Sequence, residues 1–429
     1  MRRFEGFHRV AALTAFIACG ILPRAQAASE KTYEQLKVLV DVLNYIQDNY
    51  VDEADTQKLI YGAASGMVRT LDPFSQFMDP EIYREMKTET EGQFGGIGIR
   101  LSMKDDWLTV ITPLPGTPAY RQGILPNDRI VEIDGETTKD MTPIDALKKL
   151  RGVPQTTVKL GIMRSSESSA EAPWVSYEFT LSREIIKIES VQRRMLEEGV
   201  GYLRIVEFSA RTADDAMEGL KALQKGGATS LVLDLRNNPG GLLASAVEVA
   251  SYFIGEHKLI VYTQGRKPES RQEFRGSAKA PYENLPLIVL INEGSASGSE
   301  IVAGALQDHR RAVIMGQRSY GKASVQSVIP LLDSSGLRLT VAHYYTPLGR
   351  SIHRDEKRKT GGITPDIVVA ISRETEAKLY TQEEFIYAKG KNPRSTLKKE
   401  EFVKDEALDR AVEIIKARDV LGNLKGRQG

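Results

Sequence analysis

Apolar residues recur at helical spacing in the first part of the chain. Tyr33, Leu36, Leu39 and Leu43 stand three or four positions apart, as one face of an amphipathic helix requires. Asp72-Pro73 interrupts the pattern. The pattern therefore predicts a helical region over residues 28–93, whose methionine and aromatic side chains are expected in a core or in a subunit contact.

A β-rich module is predicted next, over residues 94–183. Short apolar runs bounded by turn residues are typical of strands, and the stretch 143–150 has helical spacing. Residues 165–173 are polar and predict a loop. The predicted strands of the module are 108–111, 129–133, 157–163 and 175–181.

Strand and helix patterns alternate from about residue 198, which implies a mainly parallel sheet covered by helices. The strands 337–346 and 367–370 are expected to add to this core, which we place at 184–370. The charged, amphipathic end predicts a helical region over 371–429. The alternating strands are 201–208, 230–235, 259–263, 287–291 and 312–315, and the helices between them are 213–223, 242–253 and 298–306.

Composition narrows the class of protein. The chain has 429 residues, of which 41 % are hydrophobic and 27 % charged, so a disordered chain and a multi-span membrane protein are both excluded. A net charge of +1 gives no field that would attract nucleic acid. The single cysteine, Cys19, excludes a disulfide scaffold and a cysteine-based metal site. Neither a metal nor a cofactor is expected.

The first residues have the pattern of an export signal. Arginines precede an apolar stretch over 10–22, which is shorter than the ~20 residues of a membrane span. Ala25-Gln26-Ala27 is a small-x-small cleavage site. We therefore expect residues 1–27 to be a signal peptide and the mature chain to be periplasmic. An uncleaved anchor, a buried helix and a lipid on Cys19 are the alternatives.

A candidate nucleophile stands where a predicted strand gives way to a helix, in the segment 292–301. The segment is rich in serine and glycine, and the helix start exposes backbone N–H groups that could hold an oxyanion. A serine here could attack a carbonyl group. The plain alternative is an ordinary helix cap, for which serine and glycine are common.

A serine nucleophile needs a base, and Lys322 is a candidate because a glycine-flanked turn would carry it back to the helix start. None of the five histidines stands in an evident triad pattern. Lysine ordinarily titrates near ~10.4, so the fold would have to lower its pKa by excluding water. The plain alternative is a solvated loop lysine.

Two glycine-rich turns complete the candidate chemistry. The segment 234–242 again joins a strand end to a helix, and its Gly-Gly turn presents amides to a ligand or serves as a tight connection. The turn at 94–99 leads into a strand and lacks the phosphate-loop pattern.

Several long motifs, in the same order, resemble the carboxy-terminal processing proteases, the serine–lysine endopeptidases of peptidase family S41. The resemblance runs from about residue 33 to 420. The matching stretches are FGGIGI (94–99), LRG (150–152), DLRNNPGGLL (234–243), NEGSASGSEIVAGALQD (292–308), SYGKASVQ (319–326), YYTPLGRSI (344–352) and GITPD (362–366).

The resemblance implies a multidomain α/β fold: a ClpP/crotonase-like protease core with an inserted PDZ domain and helical regions at both ends. It implies Ser297 as the nucleophile, Lys322 as the general base and Gln326 as the residue that orients the base. Arg151 is similar to the family residue that reports PDZ occupancy to the active site. The implied oxyanion donors are Gly298, Gly240 and Gly241, and the implied carboxylate-binding loop consists of Phe94, Gly95, Gly96, Ile97, Gly98 and Ile99.

By the same resemblance, the partners are protein substrates recognised by their carboxy-terminal tails, an adaptor protein, and a second copy of the chain, which we expect to form a dimer. The sequence departs from the family at Gly298, where alanine is usual, and after LRG, where Val153-Pro154 replaces a glycine-threonine turn. The competing functions are a non-hydrolytic PDZ adaptor or chaperone and a crotonase-like ligand binder.

Overall fold

The computed structural model describes residues 30–104, 107–114, 116–125, 127–139, 141, 143–165, 174–187, 189–277, 280–355, 360–387 and 402–426. The predicted signal peptide, with Cys19, and most of the predicted loop at 165–173 lie outside these residues. The chain divides into two compact units after Met67. In the described part, no helix combines the length and the apolar character that a membrane span requires.

The first unit consists of the helix α1 (Glu30–Asn49) and most of the helix α2 (Thr56–Arg69). Asp55 caps α2, because its Oδ1 accepts hydrogen bonds from the N–H groups of Gln57, at 2.9 Å, and Lys58, at 3.2 Å. Tyr33, Leu36 and other apolar residues of α1 are exposed, and no residue of α2 is buried. The predicted helices are confirmed in this unit, whereas their apolar faces find no core within it.

A short strand and a helix precede the β-rich module: β1 (Gln76–Met78) and α3 (Pro80–Glu91). Asp79 caps α3 through hydrogen bonds from the N–H groups of Glu81 and Ile82, both 2.9 Å long. β1 lies inside the region 28–93, which the sequence pattern predicts to be helical. The pattern does not reveal the strand because three residues are too few to show a period of two.

The β-rich module has its own core, in which Leu108, Ile130 and Leu160 are almost fully buried. Its antiparallel sheet has the order β3-β4-β5-β7-β8, with β6 paired to β5, whereas β2 and β9 pair only with each other. The strands are β2 (Gln93–Gly96), β3 (Ile99–Lys104), β4 (Trp107–Pro113), β5 (Arg129–Ile133), β6 (Glu136–Thr137), β7 (Thr157–Ser165), β8 (Trp174–Ser182) and β9 (Glu184–Lys187), and the helices are α4 (Pro118–Arg121) and α5 (Pro143–Leu150).

The remaining strands are β10 (Val191–Met195), β11 (Val200–Ile205), β12 (Ser230–Asp234), β13 (Leu259–Gly265), β14 (Gln272–Arg275), β15 (Leu287–Ile291), β16 (Val313–Gly316), β17 (Ser324–Pro330), β18 (Gly336–Tyr345) and β19 (Ile367–Val368). The remaining helices are α6 (Thr212–Lys225), α7 (Leu243–Ser251), α8 (Gly298–Asp308), α9 (Arg373–Tyr387) and α10 (Glu406–Gly426).

The mainly parallel sheet is confirmed. It has the order β10-β11-β12-β15-β16-β19, and only the β10–β11 pair is antiparallel. Successive residues of a strand serve opposite faces. Leu231 and Leu233 pack with α6, α7 and α8, whereas Val232 packs with Ala407 and Leu408 at the start of α10. The sheet is therefore covered on both faces.

A second, antiparallel sheet was not predicted. It has the order β1-β18-β13-β14, and β17 also pairs with β18. The expectation that 259–263 and 337–346 belong with the parallel strands is therefore wrong, because these segments pair antiparallel with each other. Strand period alone does not distinguish the two kinds of sheet.

Candidate active site

The turn between β15 and α8 presents Ser297 in an unusual backbone conformation. Its φ of 51° and ψ of −111° lie outside the regions that serine ordinarily adopts. Such conformations cluster at functional sites and persist only where the surrounding structure imposes them. Ala296 and Gly298 on either side are buried, while Ser297 is partly exposed. The hydroxyl group therefore stands at the start of a helix, within reach of a substrate.

Side chains fasten this turn to the end of β12. The Ser295 hydroxyl donates to the Leu235 carbonyl at 2.8 Å. The Asn238 carbonyl accepts from the Ala296 N–H and from the Ser299 hydroxyl, both at 3.0 Å. All five residues are buried. The two neighbouring strand ends thus form one rigid platform at the carboxyl edge of the parallel sheet, where α/β folds usually place their sites.

The Gly240–Gly241 turn lies directly against Ser297. A β-carbon added to Gly240 would stand 2.6 Å from the β-carbon of Ser297 and 2.8 Å from the N atom of Gly298. The φ angles of Gly240 and Gly241 are 99° and 139°, so both positions favour glycine. The Gly240 N–H, one of the three predicted oxyanion donors, already donates to Asn238 Oδ1 at 2.8 Å within the protein. The N–H groups of Gly241 and Gly298 make no hydrogen bond within the described residues, and they remain available to an oxyanion.

Glu300 connects the serine turn with the segment that carries the lysine. Its carboxylate is fully buried. Oε2 accepts from the backbone N–H groups of Ser297, at 2.9 Å, and Lys322, at 2.8 Å. Oε1 accepts from the Ser319 hydroxyl, at 2.5 Å, and the Gly321 N–H, at 2.7 Å. Burial raises the pKa of Glu300, and these four hydrogen bonds oppose the rise.

The Lys322 side chain occupies an environment that disfavours its charged form. Burial lowers the pKa of its ammonium group below the usual 10.5, the charge of Arg338 lowers it further, and Glu300 acts in the opposite direction. Nζ lies 3.5 Å from Gln326 Oε1. The ring centroid of Phe74 lies 5.0 Å from the same Nζ. The structure thus places the side chains of Lys322 and Gln326 next to each other. The orienting role that the family resemblance implies for Gln326 stays a prediction.

Tyr344 also belongs to this site, although its place in the sequence indicates no role for it. Its phenol is 3 % exposed and donates a hydrogen bond to the Lys322 carbonyl. Burial raises the pKa of Tyr344 well above its usual value, the Glu300 charge raises it further, and an interaction with the Ser297 hydroxyl opposes the rise. The only signal for Tyr344 was its position in the motif at 344–352.

The residues predicted to bind a substrate tail form a separate cluster. Phe94, Gly95 and Gly96 lie in β2 rather than in a loop, Ile97 and Gly98 form the turn, and Ile99 begins β3. This departs from the expected six-residue loop, because β2 finds a partner in β9. Among the described residues, β3 is an edge strand with α5 beside it, which leaves a backbone edge for a peptide.

Arg151 lies beside this cluster, with its guanidinium carbon 4.6 Å from the ring centroid of Phe94. The next residue, Gly152, donates its N–H to the Gly95 carbonyl at 3.0 Å. None of the hydrogen bonds of Arg151 or Phe94 in the described structure reaches Ser297. Arg151 therefore contacts the predicted peptide-binding end of the module and not the serine.

The departure at Gly298 has a local explanation. A β-carbon on Gly298 would stand 3.0 Å from Phe208 Cδ2 and 3.3 Å from the β-carbon of Ala246. The Phe208 ring thus fills the space that an alanine methyl group would need. Phe208 also forms a β-bridge with Gly241. In the described part of the chain, no group of three His, Cys, Asp or Glu side chains is arranged to hold a metal ion.

Three family models match the chain. Residues 199–369 match the model described as peptidase family S41, and residues 85–163 match the PDZ domain. Residues 16–82 match the activating protease CtpB N-terminal domain. The matches follow the order of the observed regions: helices first, the β-rich module next, and then the α/β core.

Curated relatives match over most of their length. A carboxy-terminal-processing protease of Bartonella bacilliformis is 41 % identical over 362 residues, which cover 82 % of this chain and 80 % of the relative. A carboxyl-terminal-processing protease of Synechocystis is 34 % identical, and the matched stretch covers 86 % of this chain and 88 % of the relative. Among solved structures, a photosystem II D1 C-terminal processing protease is 28 % identical, with a TM-score of 0.44, over 78 % of this chain and 93 % of its own.

Proposed function

Because the chain belongs to peptidase family S41, as a carboxy-terminal processing protease and hence a serine-type peptidase, we propose that it cleaves proteins through a dyad of Ser297 and Lys322. The observation that carries the proposal is the buried carboxylate of Glu300. One of its oxygens accepts the N–H groups of both Ser297 and Lys322. A nucleophile and a base that share one anchor are held in a fixed relation, which proton transfer between them requires.

The proposed reaction follows an acyl-enzyme path. Neutral Lys322 removes the proton from the Ser297 hydroxyl, and the serine oxygen attacks the peptide carbonyl carbon. The N–H groups of Gly298 and Gly241 stabilise the tetrahedral oxyanion. Because Gly240 has no side chain, the turn that carries Gly241 can lie close to Ser297 and Gly298. The protonated lysine then gives its proton to the leaving amine. Water attacks the ester by the same steps and releases the second product.

Gln326 and burial prepare Lys322 for this role. A base must be neutral to accept a proton, and the lowered pKa of Lys322 increases its neutral fraction near neutral pH. Gln326 Oε1, at 3.5 Å, accepts from the amine and limits its rotation. Activity is therefore expected to rise with pH through the pKa of Lys322.

The PDZ domain implies that the protein binds peptide carboxy-termini. We propose that a substrate tail adds as a strand to the open edge of β3, with its carboxylate at the N–H groups of the turn at Ile97 and Gly98. Arg151, which stacks on Phe94 at the same end of the module, is proposed to report an occupied PDZ domain to the active site. Deleting residues 94–183 is then expected to change the basal rate.

We further propose that the protein is exported. The pattern of residues 1–27 supports an export signal, with lipid attachment at Cys19 as the alternative. The exposed apolar side chains of α1 favour association with a second copy. An adaptor protein that presents substrates is compatible with this arrangement.

The decisive experiment compares residues 28–429 as wild type, Ser297→Ala and Lys322→Ala. Each protein is mixed with an unfolded protein that ends in an apolar, uncharged tail, and new chain ends are identified by mass spectrometry. Cleavage is expected from the wild type alone, with both variants slower by at least about a thousandfold, since the pair acts as a unit.

Lys221→Ala is the matched control, because Lys221 is an exposed lysine of α6. It is expected to cleave at the wild-type rate. Circular dichroism and thermal unfolding confirm that each variant is folded. A folded Lys322→Ala protein that cleaves as fast as the wild type would remove Lys322 from the mechanism.

A further inference from the structure

Phe74 lies outside the motifs that contain Ser297 and Lys322, yet it contacts both Lys322, the proposed base, and Gln326 beside it. Its carbonyl oxygen accepts a hydrogen bond of 2.5 Å from Gln326 Nε2. Its ring centroid lies 5.0 Å from Lys322 Nζ. Phe74 and Gln326 are separated by 252 positions in the sequence. No local pattern could therefore have indicated this contact.

The Phe74 carbonyl decides which way the Gln326 amide faces. A carbonyl oxygen only accepts, so the Gln326 atom that bonds to it must be the NH₂ group. The amide oxygen then faces Lys322, whose N–H groups donate to it whether the amine is neutral or charged. With the amide reversed, the amide oxygen would face the Phe74 carbonyl, and the amide NH₂ group would compete for the lone pair with which neutral Lys322 accepts the serine proton. One backbone contact thus determines that Gln326 presents an acceptor to the base.

The loop that carries Phe74 is held on both sides. Asp72 Oδ1 accepts from the N–H groups of Phe74, at 2.8 Å, and Ser75, at 2.7 Å. The Ser75 hydroxyl donates to Asp72 Oδ2 and accepts from the Thr340 N–H of β18 at 3.0 Å. Burial would raise the pKa of Asp72, but the hydrogen bonds from Ser75 and Phe74 outweigh it and lower that pKa. The loop is therefore fixed against the strand that borders the site.

We propose that Phe74 is a positioning residue of the dyad: its ring shields the Lys322 amine from water, at the place where the carbonyl of the same residue holds Gln326. The inference rests on the proposed function, because Phe74 acts through Lys322. It adds a residue from the segment before the PDZ domain to the proteolytic site.

The ring acts on Lys322 in two opposite ways. Its bulk excludes water, which disfavours the ammonium form. Its π-face attracts a cation, which favours that form. The other charged or titratable groups that face Lys322 are Glu300 on α8, Arg338 on β18 and Tyr344 on β18. None of these changes when Phe74 alone is replaced, so a pair of Phe74 variants separates the two effects of the ring.

The first test measures the pKa of Lys322 directly, in a Ser297→Ala background that needs no turnover. Trace acetic anhydride labels lysines at a series of pH values, and mass spectrometry of the Lys322 peptide gives the midpoint. Phe74→Ala readmits water and is expected to raise this pKa by about one unit. Phe74→Leu keeps the apolar cover but loses the π-face, and is expected to lower it by about half a unit.

Phe77→Ala is the matched control, because Phe77 lies on the adjoining strand β1. A general loosening of this region would affect Phe77→Ala and Phe74→Ala alike, whereas the proposal expects the Lys322 pKa of Phe77→Ala to equal that of the parent. A Lys322 pKa unchanged in both Phe74 variants would overturn the proposal, as would equal shifts in Phe74→Ala and Phe77→Ala.

The second test uses the active protein and the pH profile of kcat/KM. Phe74→Ala is expected to move the rising limb to higher pH by the same unit, so that the rate at neutral pH falls about tenfold. A loss of rate with an unmoved limb would contradict the proposal. If the wild type cleaves nothing, the proposed function fails, while the labelling midpoints still decide the role of Phe74.

Discussion

The two sides of the proposed dyad are positioned by different means. Ser297 is fixed by backbone geometry: a positive φ, the start of α8 and the close approach of Gly240. Lys322 shares the Glu300 anchor through its backbone, but the state of its amine depends on side chains and carbonyls from distant segments, such as Phe74 and β18. The position of the nucleophile thus depends on backbone conformation, whereas the protonation state of the base depends on the groups around its amine. Variants that alter the backbone around Ser297 should therefore lower the rate strongly and change its pH dependence little.

Apart from replacement of Ser297 or Lys322 themselves, the largest effect is expected from Gly240→Ala. The new β-carbon would lie 2.6 Å from that of Ser297 and 2.8 Å from the N atom of Gly298, so the turn must move away from the serine. We expect kcat to fall about a thousandfold, the upper end of the loss seen when an oxyanion donor is removed. Gly227→Ala is the control, since Gly227 has a similar φ of 91° but nothing within 4 Å of the added carbon. Equal rates in the two variants would contradict the backbone account of the nucleophile.

A smaller loss of rate is expected from Glu300→Gln, because Glu300 holds the backbone of both Ser297 and Lys322. The amide retains one oxygen and turns an NH₂ group towards two buried donors, which leaves them unsatisfied. We expect kcat to fall about a hundredfold, because serine and lysine lose their common anchor, and the free energy of unfolding to fall by about 3 kcal/mol. Denaturant unfolding and peptide cleavage measure both. Glu293→Gln, an exposed neighbour in the same motif, should change neither.

The smallest expected effect concerns the stability of the protein and tests whether Lys322 carries a penalty for its buried charge. Burial depresses the pKa of Lys322 in the folded state below the 10.5 of the unfolded chain. The unfolded state therefore binds the proton more tightly, and stability rises with pH between the two pKa values. Lys322→Met removes the buried charge, so its Tm should exceed that of the wild type by about 2 °C at pH 7.

That advantage of Lys322→Met should shrink as the pH rises towards 10.5 and vanish above it, where the wild-type amine is neutral in both states. Thermal unfolding at a series of pH values provides the check. A constant difference in Tm across this range would mean that Lys322 carries no penalty for its charge.

The sequence predicted the parts of the molecule that depend on local pattern. The parallel strands were visible as apolar runs, and β15 and α5 were predicted with the bounds that the structure gives them. The strand–turn–helix around Ser297 followed from small residues between a strand and a helix. Lys322 could be predicted as the base because the turn that carries it follows Ser297 closely along the chain.

The contacts that the sequence did not predict arise from tertiary structure. Phe74 reaches the base only because β1 pairs with β18, and this pairing places an N-terminal loop beside β17. Tyr344 reaches the Lys322 carbonyl from the same strand β18. The antiparallel sheet brings both side chains to the site, and its strands gave no sign of which sheet they would join. Long-range pairing is thus the information that a single sequence lacks.

The pairing of β2 with β9 also bears on how this enzyme could be altered. Gln93 stands opposite Lys187, and Gly96 opposite Glu184. The chain thus enters and leaves the PDZ module through adjacent strands, separated by the usual strand spacing of about 5 Å. The module is a cassette with neighbouring ends. A different peptide-binding domain with termini at the same spacing could be grafted onto this ribbon, which would retarget the protease while leaving Ser297 and Lys322 in place. Such a graft would also remove Arg151, so it would separate the choice of substrate from the proposed report of PDZ occupancy.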